Sequence, residues 1–400
     1  MRILLVSPFM PYPPIAGGHA QVWAWLRRLA AKHEVSFVGF YERAGDADGL
    51  EELKRHCRQV RARLRCPTPH AYSSLAQAPF WVTEFSSSEL TRDLREVAAS
   101  FQPEVALFVS THMAQYRRRL PGLAAAVAAL EVGFVAYRRR IAMLRGFARF
   151  RARLDWLRML RYETAVFRKA DRIIAVSDED ARTIRAVAPR VRVTAVPPGV
   201  DADRLLPRER GPVPGTVLFV GHMEHLPNAD ALAFLYRDIW PRVRSAHPRA
   251  RLLVAGGEAL EELRRIAPDL PARMAADATV DVLGFVSDLP ALMDRTAVTA
   301  APIRLGGGVR NKVIEALASG LPVVTTRRGA EGLSVAHERE LLIADGAEAF
   351  AGQLVRLLSD AELQARLASA GRELAAREHN NDRLARRVYH ALAEAVGAHE

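Results

Sequence analysis

Ala301–Leu333, APIRLGGGVRNKVIEALASGLPVVTTRRGAEGL, is the stretch that decides the fold. Val298 to Ala301 is a short apolar run that Pro302 ends, which predicts the close of a strand. Gly306, Gly307 and Gly308 let the backbone take positive φ and approach a ligand closely. From Val309 to Ser319 the apolar residues Val313, Ile314, Leu317 and Ala318 recur at helical spacing. Gly320 stands where a C-terminal cap glycine belongs, and Pro322 forbids continuation. Val323 to Thr326 then reads as a buried β-branched strand.

A glycine loop that opens a helix offers free N–H groups and the positive end of the helix dipole to an anion. Arg310 and Lys312 place two cations in the first turn, where that dipole disfavours them. They are therefore assigned to a negative ligand. Glu315 is expected at another edge of the site, where a carboxylate would accept hydrogen bonds from paired ribose hydroxyls. A plain glycine turn before a solvated helix has the same appearance. No GK[ST] follows at the spacing of a nucleoside-triphosphate loop.

The stretch resembles the C-terminal signature of the retaining group 1 glycosyltransferases, most closely their exopolysaccharide-associated branch. That pattern, G-G-x-x-x-K-[IV]-[IL]-E-A-L-A-x-G-x-P-V-V-x-T followed by G-A-E-G-L, is met from Gly307 to Leu333. The resemblance implies the α/β GT-B fold: two Rossmann-like domains with parallel sheets facing across a cleft. It gives Lys312 and Arg310 the donor diphosphate, and Glu315 the ribose. Many relatives carry another glutamate eight residues before this one to contact the donor sugar. Here that position is Gly307, so this contact is not inherited.

The totals agree with a large globular chain. Its 400 residues suffice for two or three domains, half are hydrophobic, and 26% are charged. Cys57 and Cys66 match no zinc or CxxC spacing, which fits a reducing cytoplasm. The opening MRILLVSPFMPYPP reads as neither signal peptide nor membrane span. A net charge of +12 points to anionic partners.

Along the first half, Arg2 to Ser7 reads as a buried strand, a proline-rich loop follows, and Gly17 and Gly18 open a helix before a strand at Glu34 to Phe40. The resemblance makes this turn the first-domain loop facing the donor phosphates. Residues 41–100 read as helix and loop without legible chemistry. Val105 to Val109 is a strand, and His112 follows its carboxyl end, where ligands bind in open α/β sheets. His112 is the first-half candidate for catalysis, and a structural histidine would look the same. Tyr137 to Arg172 carries twelve Arg and Lys against Asp155, Glu163 and Asp171, interleaved with apolar residues. Such helices suit an anionic membrane surface, and equally an ordinary solvated face. No nucleic-acid motif accompanies the charge, so nucleic acid is not an expected partner.

Residues 202–214 read as an interdomain linker. Thr216 to Val220 starts the second domain, followed by Gly221 and the turn GHMEHLPNAD with Pro227, Asn228 and Asp230. Relatives place an Arg and a Lys in that turn, so the phosphate-binding charge falls on Lys312 and Arg310, helped by His222 and Arg304. Arg251 to Ala255 and Val280 to Leu283 are further strands. The Gly284-Phe285 turn after the latter lies against the nucleobase in the family. Asp382 to Val396 is a final amphipathic helix.

The expected domains are thus 1–205, with 380–400 packing back on it, and 206–379. The expected activity is retaining transfer from a nucleotide-diphosphate sugar to a glycan or lipid-linked acceptor in cell-surface glycan biosynthesis. No metal or cofactor is expected. The expected location is the cytoplasm, at the inner face of the plasma membrane. A non-catalytic nucleotide-binding or scaffold protein and a sugar-nucleotide epimerase are the competing readings.

Overall fold

A computed structural model describes residues 1–14, 17–42, 48–66, 78–141, 145–201, 211–257, 260–306 and 308–398. The chain divides into two compact units, Met1–Pro198 with Asn381–Glu400, and Gly199–Asn380. Each is built on one parallel sheet whose strands are separated by helices.

The first sheet holds β1 (Arg2–Ser7), β2 (Glu34–Tyr41), β3 (Gln59–Leu64), β4 (Val105–Val109), β5 (Ala124–Ala129), β6 (Arg172–Ala175) and β7 (Val193–Ala195). Their order is β3-β2-β1-β4-β5-β6-β7, with every neighbouring pair parallel. The second holds β8 (Val213–Val220), β9 (Arg251–Ala255), β10 (Val280–Gly284), β11 (Thr296–Ala301), β12 (Val323–Thr325) and β13 (Leu342–Ile343). It runs β10-β9-β8-β11-β12-β13, again parallel throughout. Helices cover both faces of such sheets, which is why Ile3 to Val6 and Val217 to Phe219 are continuous buried apolar runs.

Strand order reverses between β1 and β4 in one sheet, and between β8 and β11 in the other. Ligands of open parallel sheets sit beyond the carboxyl ends of the strands at such a switch. In the second unit these ends carry Gly221 after β8, Gly256 after β9 and the glycine loop after β11. A Cβ on Gly256 would fall 1.9 Å from the Gly221 carbonyl oxygen, so glycine is what lets these two strand ends meet.

Several strands depart from the sequence reading. β3, β5 and β13 fall where no strand was expected, and β8 begins at Val213, inside the expected linker. Of that linker, residues 202–210 lie outside the described residues. The final helix, Asn381–Gly397, buries Leu384, Val388 and Leu392 in the core beneath β1 and β4 of the first unit. Arg28 binds Asp382 at 2.6 Å, and Arg172 binds Glu394 at 2.5 Å.

Candidate functional site

The helix after the glycine loop is Asn311–Ala318. It ends as the sequence predicts: Gly320 has φ +64°, its N–H donates to Leu317 O at 3.0 Å, and the Leu321 N–H donates to Ala316 O at 2.8 Å. Gly306 and Gly308 have φ of +84° and +77°, a conformation that a side chain would strain. Gly307 lies outside the described residues. Two guanidinium groups pin the loop from its own carbonyls. Arg310 donates to Leu305 O at 3.3 Å, and Arg328 donates to Gly306 O at 3.1 Å.

Lys312 reaches from this helix to the end of β8. Its Nζ donates to Val220 O at 2.6 Å and to Asn228 Oδ1 at 2.7 Å, and lies 5.2 Å from the centre of the Phe219 ring. The ammonium therefore bridges the switch between β8 and β11. Burial, and then the Arg310 charge, push its pKa down to about 7, with the Glu315 carboxylate opposing both. The strain on this charge thus has another source than the helix dipole invoked from the sequence. Asn228 is held in turn, because its Nδ2 donates to His222 O at 2.9 Å. Both ends of its amide are engaged, so Asn228 positions Lys312. A Cβ on Gly221 would lie 3.1 Å from Lys312 Nζ and 3.0 Å from Asn228 Cγ, so glycine leaves the room this arrangement needs.

His225 stands near the same cations, and its pKa is lowered by burial, then by Arg310, Lys312 and His222. Positive groups gathered in this way at the end of a strand suit an anionic ligand. Glu315 follows on the same helix, half-buried. Arg304 differs from the expectation. It forms a two-pronged pair with Asp230, at 2.7 and 3.1 Å, and lies 4.1 Å over the Phe234 ring, so its charge is already answered. Phe285 follows β10 and is 72% exposed.

His112, Gly17 and Gly18 belong to the first unit. Gly17 begins the helix Gly17–Ala30, and a Cβ on Gly18 would make only ordinary contacts. His112 follows β4, stacked on Phe85 at 4.3 Å, with its Nε2 enclosed. Burial, and then the Arg65 charge, pushes its pKa down to about 3. It is therefore neutral at physiological pH, a hydrogen-bonding group and not a proton donor of the imidazolium kind.

Sequence reasoning missed Glu163, which it had counted among the acids of a basic segment. This carboxylate is fully buried. It accepts from Thr111 Oγ1 at 2.7 Å, Gly133 N at 3.1 Å and Phe134 N at 2.8 Å. It caps the helix Gly133–Ile141 and ties it to the end of β4. Arg328 was also missed, although it lies inside the quoted motif.

Among the described residues, no cluster of three or more His, Cys, Asp or Glu is placed to hold a metal, and no helix is long and apolar enough to cross a membrane.

A family model described as "Glycosyl transferases group 1" matches residues 214–360, and one described as "Glycosyltransferase Family 4" matches residues 15–204. The chain is 30% identical over 228 residues to a GDP-mannose-dependent alpha-(1-6)-phosphatidylinositol monomannoside mannosyltransferase of Mycobacterium tuberculosis, covering 52% of this chain and 57% of that one. It is 32% identical over 252 residues to a D-inositol 3-phosphate glycosyltransferase of Nocardia farcinica, covering 59% of this chain and 51% of that one. The chain thus spans little more than half the length of the known relatives it matches. A solved sucrose-phosphate synthase from Thermosynechococcus elongatus superposes with a TM-score of 0.73 at 18% identity, over 98% of both chains. Two Rossmann-like units of this kind constitute the GT-B fold.

Proposed function

We propose that this chain, matched over residues 214–360 by a group 1 glycosyltransferase model and over residues 15–204 by a Glycosyltransferase Family 4 model, is a group 1 glycosyltransferase that transfers a sugar from a nucleotide-diphosphate sugar to an acceptor hydroxyl, with retention of anomeric configuration. The observation that carries the reading is the Lys312 ammonium. It is held by two oxygens at the sheet switch, on the helix that follows the glycine loop, with its pKa brought down to about 7. As the bond between sugar and diphosphate breaks, negative charge grows on the departing oxygen. Amides of the glycine loop, Lys312 and Arg310 would stabilise that charge more strongly than the ground state. Glu315 takes the ribose, the exposed Phe285 turn takes the base, and neutral His112 is a hydrogen-bonding group on the acceptor side.

The acceptor is proposed to be a phosphorylated polyol or a lipid-linked glycan, in cell-surface or exopolysaccharide biosynthesis. The names of the two relatives, acting on a phosphatidylinositol mannoside and an inositol phosphate, support that class. Release of nucleoside diphosphate by the purified protein, with a panel of UDP-, GDP- and ADP-sugars and such acceptors, is the test. Nucleotide binding without release would favour a non-catalytic binder. Interconversion of the sugar nucleotide without an acceptor would favour an epimerase.

Glu315→Ala is expected to weaken nucleotide binding by about 2–4 kcal/mol, the loss of two hydrogen bonds to a charged acceptor. Calorimetry on the folded variant measures this, and unchanged affinity would remove the ribose role.

Attachment to the anionic inner face of the plasma membrane is the second part of the proposal. In the helix Gly146–Lys169, Phe147 is 74% exposed, Phe150 56% and Leu157 44%, among Arg145, Arg149, Arg151 and Arg153. The rest of the apolar stripe turns inward: Met159 and Phe167 are buried, and Trp156 donates to Phe134 O at 2.8 Å. Met143 and Leu144 lie outside the described residues. Each cation near such a surface adds roughly 1 kcal/mol. In liposome flotation the protein should rise with anionic vesicles at low salt, and Phe147→Ser with Phe150→Ser should reduce its recovery. Equal recovery on neutral vesicles, or none on either, would leave an ordinary solvated helix.

A further inference from the structure

A cavity in the first unit has no part in the donor site. It measures about 600 Å³ and lies between the 3-10 helix Thr111–Arg119 and the second half of the helix Gly146–Lys169. That volume falls within the range of pockets that enclose most of a small ligand. Val82, Leu120, Val127 and Val166 line it, and Val127 belongs to β5, so the hollow reaches the sheet itself.

Arg118 and Lys169 also line it. Both are exposed, and neither makes an ion pair among the described residues. Arg117 beside them is held by Asp171 at 3.0 and 3.2 Å. Arg118 precedes the turn into β5 and Lys169 precedes β6, so both cations mark the end where those strands begin. His112, by contrast, follows the carboxyl end of β4.

A hollow that is apolar within and cationic at the rim selects for a molecule with the same division. A sugar nucleotide would leave polar groups without partners against valine. An uncharged hydrocarbon would gain nothing from the two cations. We propose that the cavity binds a single-chain anionic amphiphile, its hydrocarbon against the valine walls and its phosphate or carboxylate head beside Arg118 and Lys169. Removal of apolar surface from water drives the chain in, and the uncompensated positive charge draws the head to the rim. This site lies outside the proposed donor site and does not depend on that reading.

Calorimetry on the full chain tests it, with dodecyl phosphate and dodecanoate kept below their micelle concentrations. Comparing the two distinguishes a phosphate head from a carboxylate. Inorganic phosphate and dodecyl maltoside are the controls. At least one of the anionic amphiphiles should saturate a single site, inorganic phosphate should give no binding, and the maltoside should bind at least about tenfold more weakly. Arg118→Ala with Lys169→Ala should weaken binding about tenfold, near the value of one hydrogen bond to a charged group. Ala165→Trp, at an exposed position lining the cavity, should abolish it. No binding to the wild type, equal binding of inorganic phosphate, or undiminished binding by the double variant would each overturn the proposal. So would equal binding by a folded Ala165→Trp protein. If that variant does not fold, the double variant decides alone.

Discussion

Lys312→Ala should slow sugar transfer about a hundred- to a thousandfold while leaving the fold intact. This is the range seen when one preorganised donor to a developing oxyanion is removed. Nucleoside diphosphate binding should weaken as well, because the ligand would then face Arg310 alone. The melting temperature without ligand should change little. The variant loses the bonds from Nζ to Val220 O and Asn228 Oδ1, but it also removes an ammonium whose burial has brought its pKa to about 7. Those two effects oppose one another. Lys312→Arg should recover only part of the rate, since the planar guanidinium does not fit a space set by Gly221 and Asn228 for a compact point charge. Initial rates and melting curves with and without nucleoside diphosphate check this. A ligand-induced shift equal to that of the wild type would show that Lys312 does not meet the phosphates.

The second large effect is on stability. Glu163→Ala should cost about 3 kcal/mol or more. It strands the hydroxyl of Thr111 and the N–H groups of Gly133 and Phe134 in a buried place, each worth roughly 1–3 kcal/mol when left unsatisfied. The carboxylate is itself under strain. Burial pushes its pKa from 4.5 up to about 7, against the three hydrogen bonds that lower it. A folded-state pKa above the unfolded value means that the folded protein holds the extra proton between those two limits. The stabilising contribution of that proton is complete below about pH 4.5 and is lost as pH rises through about 7. Urea unfolding from pH 5 to 8 should therefore show a decline that Glu163→Gln flattens, whereas Glu163→Ala lowers stability throughout. A Glu163→Ala protein as stable as the wild type would mean that the three donors find other partners.

The parts legible from sequence were the local ones. Gly306, Gly308 and Gly320 were read from their places around one helix, and all three have positive φ. β1, β4 and β9 stand at their expected bounds because a strand covered on both faces is a plain apolar run. β5, with the sequence AAAVAA, escaped because alanine is a poor strand former, and only its place between β4 and β6 makes it one. β3, QVRARL, escaped because its arginines read as surface helix.

Pairings between distant residues were not legible. Lys312 meets a carbonyl 92 residues away, Arg304 meets Asp230 74 residues away, and Glu163 meets Thr111 52 residues away. Each changed a reading: a lysine strained by burial and not by a dipole, an arginine already occupied, and an acid that caps a helix instead of balancing a basic face.

Calorimetric titration with UDP, GDP and ADP from pH 7 to pH 9 tests the central claim most directly, because the terminal phosphate is already mostly ionised there and adds little pH dependence of its own. The groups facing Lys312 are Arg310 and Glu315 from its own helix region, and His222 and His225 from the turn after β8. Lys312, with its pKa brought down to about 7, is expected to lose its charge as pH rises across this window. A bound diphosphate favours the ammonium, so binding should take up a proton, and affinity for the preferred nucleotide should fall as pH rises, by up to about tenfold per unit. In Lys312→Ala, binding should be weak at pH 7 and nearly independent of pH. Equal affinity and equal pH dependence in the two proteins would contradict the assignment of Lys312, and with it the donor site proposed at the end of β8.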